Sequence, residues 1–225
     1  MSYVNNYSIT SVIVHYKTYE LTHRAIWSLH SLYDGLEIIV VENNSNDGSR
    51  EKLQNLQKHV PNLKLLLSEK NLHHGPGLNK AIHSCNSEWI LTFDSDCIAF
   101  RKGFIEEMIS KIDNKTYAVG EMIYLDEDGF MSEETKKNYK YIHPYCALFR
   151  KEKYLSLPPF KKHGSPCLEN EIEAVKKGFE LKHFPAYDYV YHQWRGTAGK
   201  HGYQLGIKSK LQFLKWKAKK IINNN

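Results

Sequence analysis

EWILTFDSDCI, residues 88–98, carries a largely apolar run from Trp89 to Phe93 that empties into two carboxylates, Asp94 and Asp96, with one serine between them. On an extended chain, positions i and i+2 share a face about 7 Å apart. At a half-buried strand end, two negative charges at that spacing repel by roughly 2–3 kcal/mol. A solvated turn tolerates such a pair, whereas a buried pair wants a cation.

Working back from this stretch, the pattern alternates. SITSVIVHY is a β-branched run suited to a strand, and ELTHRAIWSLHSLYD follows with Leu21, Ala25, Leu29 and Leu32 at helical spacing. LEIIVVEN reads as a second buried strand, closed by the turn-rich NNSNDGS. REKLQNLQKHV carries Leu53, Leu56 and Val60 on one helical face and ends before Pro61. LKLLLSE is a third strand, GLNKAIHSC a short helix, and EWILTFDSD the fourth strand. Strand–helix alternation predicts crossover connections, hence an α/β fold with a mainly parallel central sheet and helices on both faces. Ligands of such sheets sit beyond the carboxyl ends of the strands. Here those ends are all polar: HYK, ENNSNDG, EKNLHHGPG and DSD.

Working forward, the order is less regular. RKGFIEEMISKI predicts an amphipathic helix, YAVGEMIYL and YCALFRKEKYL strands, CLENEIEAVKKG a helix stopped at Gly178, and FELKHF and YDYVYH short strands. Two carboxylates in this helix, Glu169 and Glu171, stand at i and i+2, about 200° apart around the axis, so only one can face a pocket.

The bulk numbers fit one globular domain: 225 residues, 41% hydrophobic and 25% charged. No apolar stretch is long enough to span a bilayer, and MSYVNNYSIT lacks a signal-peptide pattern, so a cytoplasmic location is expected. The four cysteines, Cys85, Cys97, Cys146 and Cys167, show no CxxC pairing and read as reduced core thiols. The net charge of +6 is local: residues 200–225 hold seven lysines and no acid, and the remainder has 24 basic residues against 25 acidic. That distribution argues against a nucleic-acid partner. The same tail places Ile207, Leu211, Leu214, Ala218 and Ile221 along one helical stripe, suited to packing on the domain or to peripheral contact with an anionic membrane.

The ordered series SVIVHYKTYELTHRAIWSL, EIIVVENNSNDGS, EKNLHHGPGLNKAI and ILTFDSD resembles the nucleotide-sugar-binding half of a family 2 glycosyltransferase of the GT-A fold. The resemblance runs over residues 8–195. It implies a domain over 1–200, with a nucleotide-sugar-binding half (1–98) and an acceptor and catalytic half (99–200), followed by the basic segment 201–225. It further implies inverting transfer from a nucleoside-diphosphate sugar to a saccharide or lipid-linked acceptor, in surface-polysaccharide or glycolipid synthesis. This would take place in the cytoplasm or at the inner membrane face, with Mn²⁺ or Mg²⁺ as cofactor.

By the same resemblance, Asp96 and His192 hold the cation, with Asp94 beside them on metal-bound water or ribose. The family usually has a pair of acids at the second strand end; this chain has Glu42 and Asn43. Tyr16, Glu42, Asn43, Asn71, Gly75, Asn79, Asp94, Ser95, Trp194 and Arg195 are the candidates for holding the nucleotide-sugar. Glu169 or Glu171 would supply the general base, with Glu169, three residues after Pro166, preferred. Two other readings stand beside this one: a sugar-phosphate nucleotidyltransferase, disfavoured because HYKTYELTHRA has no glycine-rich triphosphate loop, and a non-catalytic nucleotide- or membrane-binding module of the same fold.

Overall fold

The computed structural model describes residues 2–4, 6–135, 137–162 and 164–193. Trp194, Arg195 and the basic segment 201–225 lie outside the described residues.

The chain opens with β1 (Ser2–Val4) and β2 (Tyr7–His15), then α1 (Tyr19–Leu32), β3 (Glu37–Glu42), α2 (Ser49–Gln57), β4 (Leu63–Leu67), α3 (His74–Ser84) and β5 (Trp89–Phe93). A short β6 (Cys97–Ala99) precedes α4 (Phe104–Ser110), β7 (Thr116–Leu125), β8 (Met131–Ser132) and β9 (Tyr139–Arg150). Helices α5 (Lys151–Tyr154) and α6 (Leu168–Lys176), β10 (Glu180–His183), a 3-10 turn (Ala186–Asp188) and β11 (Val190–His192) complete it.

The main sheet runs β10-β7-β9-β5-β2-β3-β4. Strands β4, β3, β2 and β5 are mutually parallel, as the strand–helix alternation predicts. The second half joins the same sheet through β9, which is antiparallel to both β5 and β7. Both faces are covered, and strand alternation divides the core. Ile9, Ile13, Ile38, Val40, Trp89 and Leu91 point towards α1, α2 and α4. Val12, Val14, Ile39, Val41 and Ile90 point towards α3. Each such fully buried side chain contributes about 1.5–3 kcal/mol of transfer free energy.

Two departures from the sequence expectations matter for the site. Residues 97–99, directly after the acid pair, form a second sheet with β11, in which Cys97 pairs with His192 and Ala99 with Val190. Helix α3 starts at His74, three residues earlier than GLNKAIHSC suggests. Its start is set by His73, whose φ of 69° and ψ of −179° place it in a region natural to glycine. Hydrogen bonds hold it there: its N–H donates to Asn71 Oδ1 (2.8 Å), and its carbonyl accepts from Asn43 Nδ2 (3.2 Å). His73→Gly is therefore expected to stabilise the fold by about 1 kcal/mol, relief of strain outweighing the extra freedom of the unfolded chain. A urea midpoint that fell would show that the His73 side chain contributes more than its backbone costs.

Candidate active site

Parallel β2, β3 and β5 deliver their carboxyl ends to one edge of the sheet, and the polar residues predicted there divide into those that build the edge and those that line it.

Several are builders. Glu42 has no exposed surface. Its Oε1 accepts from the Ser45 N–H (2.6 Å) and its Oε2 from Arg50 Nε (2.8 Å), while Arg50 also donates to the Ser68 carbonyl (2.9 Å). This carboxylate ties the ends of β3 and β4 together. Asn43, likewise buried, uses both ends of its amide on the loop before α3: Oδ1 accepts from the Leu72 N–H (2.9 Å) and Nδ2 donates to His73. Asn71 supports the same turn. Asn79 is also built in: Oδ1 accepts from the Phe160 N–H (3.0 Å) and the Tyr154 hydroxyl, and Nδ2 donates to the Phe160 carbonyl (2.8 Å). Glu42, Asn43 and Asn79, expected to face a nucleotide, thus have polar side-chain atoms engaged by the protein. Gly75 has a packing duty as well. A Cβ there would lie 1.9 Å from the Lys161 carbonyl oxygen, so backbone packing within the protein demands the glycine.

Other predicted residues converge. The Asp94 N–H donates to the Tyr145 carbonyl (2.8 Å), and the Cys97 N–H donates back to the Asp94 carbonyl (3.0 Å), closing a tight turn around the buried Ser95. The β6–β11 pairing brings in His192, and the Gln193 N–H bonds the Asp96 carbonyl (3.0 Å). His192 Nε2 lies 3.4 Å from Asp96 Oδ1 and 3.9 Å from Asp94 Oδ2. Tyr16 stands half-buried at the end of β2, with the Lys17 ammonium 5.2 Å from its ring centre.

The electrostatics follow from crowding. Burial lifts the Asp94 carboxyl above its usual range; His74 draws it back down, and Asp96 pushes it up. Burial by itself would lower His192, but its hydrogen bond to Asp96 and the charges of Asp94, Asp96 and Glu121 hold it above the ordinary imidazole value. The cluster thus favours positive charge at His192 when no cation is bound.

Residues missed from the sequence complete the surroundings. His74, the first residue of α3, places Nε2 3.4 Å from Asp94 Oδ1. The Tyr145 ring stacks on His192 (centroids 4.7 Å apart, 9° between planes), and its hydroxyl donates to Glu121. His143 sits edge-on to both rings, and burial first, then the nearby His192 and His74 charges, lowers it to about 3. His74 lay within a motif read for its glycines. The others depend on a break in the β7–β9 register, where Gly120 pairs with Ala147 but Met122 with Ile142, which periodicity does not signal.

The two candidate bases part company. Glu169 is half-exposed at the start of α6 and forms an ion pair with Lys161. Glu171 has no exposed surface, and its Oε2 accepts from the Ile142 N–H (2.8 Å). Of the two candidates, Glu169 is the one that meets solvent. Burial raises the Glu171 carboxyl well above its ordinary value near 4.5. An acid held more tightly protonated in the folded state contributes stability that is full below its unfolded pKa and is lost as pH rises through the folded one. Glu171→Gln is expected to flatten that decline in melting temperature above pH 4.5, whereas an unchanged profile would place the titration elsewhere.

Asp96, Cys97 and His192 each offer one ligand atom, all within 4.8 Å of one another, a spread that one divalent ion can bridge. The residues present therefore fit a cation.

The mainly parallel central sheet with helices on both faces is similar to that of GT-A glycosyltransferases. The chain belongs to glycosyl transferase family 2: residues 10–165 match the family model. No curated protein matches it by sequence. Among solved structures it is similar to the mannosyltransferase PcManGT from Pyrobaculum calidifontis in complex with GDP-Man and Mn²⁺. The TM-score is 0.64 at 15% identity, over 80% of this chain and 55% of that one, so this chain spans little more than half the length of that neighbour.

Proposed function

We propose that the protein is an inverting, divalent-cation-dependent glycosyltransferase that uses a nucleoside-diphosphate sugar and a saccharide or lipid-linked acceptor, in surface-polysaccharide or glycolipid synthesis. The observation that carries this reading is the convergence of Asp94, Asp96 and His192 at the carboxyl end of β5. The Mn²⁺ and GDP-mannose bound by the structural neighbour are in keeping with it. Asp96 and His192 would hold the cation, which when bound neutralises charge on the departing diphosphate. Asp94 is the candidate for ribose or metal-bound water. His74, beside Asp94, is placed to donate to a phosphate oxygen.

The acceptor hydroxyl forms its bond to the anomeric carbon as the bond to the diphosphate oxygen breaks, and Glu169 takes the hydroxyl proton. Glu121 is a second candidate base, because it is held by the hydroxyl of Tyr145, whose ring stacks on His192. Ser95, Tyr16, Trp194 and Arg195 remain candidates for the donor. No helix among the described residues is long and apolar enough to cross a membrane.

The test is a thermal-shift and transfer screen over nucleoside-diphosphate sugars, with Mn²⁺, Mg²⁺ or EDTA. A donor at a hundredfold its Kd should stabilise the protein by about 2.7 kcal/mol. Transfer should vanish in EDTA and return with metal, and Glu169→Gln should lower kcat by about 10²–10⁴, with Glu121→Gln alongside it to identify the base. Undiminished transfer in EDTA would defeat the cation assignment. Pyrophosphate release from a nucleoside triphosphate and a sugar phosphate would replace the whole reading with nucleotidyl transfer.

A further inference from the structure

We propose that the outer face of the β6–β11 ribbon, with Phe100, Tyr187 and Tyr191, is a docking face for an anionic lipid surface. Such docking deepens the reading of a lipid-linked acceptor and rests on it for its purpose. The contact belongs to the folded domain and not to the basic segment 201–225 alone.

Phe100, Tyr187 and Tyr191 are each 57% exposed, three of the eight large apolar or aromatic side chains that stand exposed among the described residues. The other five are divided among β4, β8, β9, the end of α5 and α6. These three fall on one ribbon and the turn that opens it. Ile98 pairs with Tyr191, so their side chains share the face opposite to that of Cys97 and His192. The ladder runs on, with the Phe100 N–H donating to the Tyr189 carbonyl (2.9 Å), and Phe100 continues the Ile98 face two residues later. On the inner face Cys97, Ala99 and Val190 are buried, and His192 turns to Asp96. One ribbon thus shows aromatic rings to solvent on one side and completes the acid cluster on the other.

The chemistry of this face fits a bilayer boundary. Tyrosine joins an apolar ring to a polar hydroxyl and concentrates at the headgroup level of membranes. Arg101 and Lys102 follow Phe100 directly and are exposed. The Arg101 guanidinium lies 3.8 Å from the centre of the Tyr189 ring and the Lys102 ammonium 5.6 Å from that of Tyr33, which keeps both cations at the edge of the patch. Of the acids near them, Glu106 and Glu107 accept from the hydroxyls of Tyr33 and Tyr189, and Asp188 stands exposed in the turn. More positive charge follows along the chain, since residues 200–225, with seven lysines and no acid, begin eight residues after His192. Eight residues reach at most about 28 Å, so that charge is tethered beside the ribbon. Rings that enter the headgroup layer and cations that pair with anionic lipid reinforce one another. A two-fold contact with a second copy would instead set Arg101 and Lys102 against their own kind. A neutral saccharide would give those cations no partner.

Vesicle binding by the full chain is the test. Phosphatidylcholine vesicles that contain phosphatidylglycerol should sediment the wild type, more weakly at high salt, and vesicles of phosphatidylcholine alone should not. Phe100→Ser combined with Tyr191→Ser, with residues 201–225 in place, should weaken partitioning by roughly tenfold at an unchanged melting temperature. Leu67→Ser, an exposed position on β4, should leave it as it was. Tyr191→Trp should add tryptophan emission that lipids brominated near the headgroup quench beyond the wild-type level. A wild type that ignores anionic vesicles, a double variant that binds as tightly, or no added quenching in Tyr191→Trp would each overturn the proposal. Dimerisation without lipid binding, abolished in the double variant, would overturn it in favour of a second copy. Stabilisation by a nucleoside-diphosphate sugar, measured without vesicles, reports on the transferase reading separately. Its presence without vesicle binding overturns the docking alone, and its absence with lost quenching in the variants removes the transferase reading and upholds the docking.

Discussion

Asp96→Asn is expected to lower kcat/KM for transfer by about 10³ while leaving the fold intact. The carboxylate sits at the closed end of the turn, nine-tenths buried, with its backbone carbonyl held by Gln193 and its side chain 3.4 Å from His192. An amide keeps the shape and the backbone bonds but removes the charge that a cation and a leaving diphosphate need. Losing one group that stabilises developing charge costs about 10²–10³ in rate, and loss of cation affinity adds to it. A factor of 10³ is about 4 kcal/mol of barrier.

Stability should move the other way when metal is absent. Asp94 and Asp96 raise one another's energy, and the amide relieves that repulsion, although it also takes from His192 the partner that favours its charged form. The melting temperature without metal should hold or rise slightly, and the stabilisation by Mn²⁺ expected of the wild type should be absent. A variant that kept a tenth of wild-type kcat/KM would remove Asp96 from the metal-binding role.

Gly75→Ala is expected to destabilise the protein by about 3 kcal/mol, at the upper end of what overpacking costs. The added methyl would stand 1.9 Å from the Lys161 carbonyl oxygen, 2.8 Å from its carbon and 3.0 Å from its nitrogen. Those are backbone atoms, and they cannot swing aside as a side chain can. One turn further along α3, Asn79 grips Phe160 through its N–H and its carbonyl, and the Lys161 N–H is committed to the Pro166 carbonyl (2.9 Å). Relief therefore requires moving the whole approach to α6. At this chain length the expected drop in melting temperature is about 6–12 °C. Because that approach leads to Glu169, kcat should fall as well. Gly35→Ala, whose Cβ would meet nothing within 4 Å, is the control. A normal melting curve for Gly75→Ala would mean that the Lys161 segment sits less tightly on α3 than these distances require.

The parallel half of the fold was legible because its strands are buried on both faces and read as continuous apolar runs, while α1 and α2 show clean helical spacing. The acid turn was legible for the same reason, since apolar runs mark where strands stop. The division between lining and building residues was not. Asn43, Asn79 and Glu42 are polar side chains at strand ends and in a glycine-rich loop, where pattern alone cannot tell a ligand contact from a structural tie. Their partners lie elsewhere in the sequence, as Phe160 does for Asn79. His74 was hidden by neighbouring glycines. Tyr145 and His143 were hidden by a register break. Each miss is a tertiary contact that local periodicity does not encode.

The pairing of β6 with β11 also sets an order of events in folding. Asp94 and Asp96 are synthesised almost a hundred residues before His192, and β6 has no partner among the described residues until β11 arrives. A nascent chain can complete β2 through β5 and still present two crowded carboxylates, with His74 beside Asp94 but no histidine beside Asp96. Closing so long a loop late is slow compared with local helix formation. Competence to hold a cation should thus appear with the last step of folding, which makes metal uptake a reporter of complete assembly, distinct from the earlier formation of the sheet.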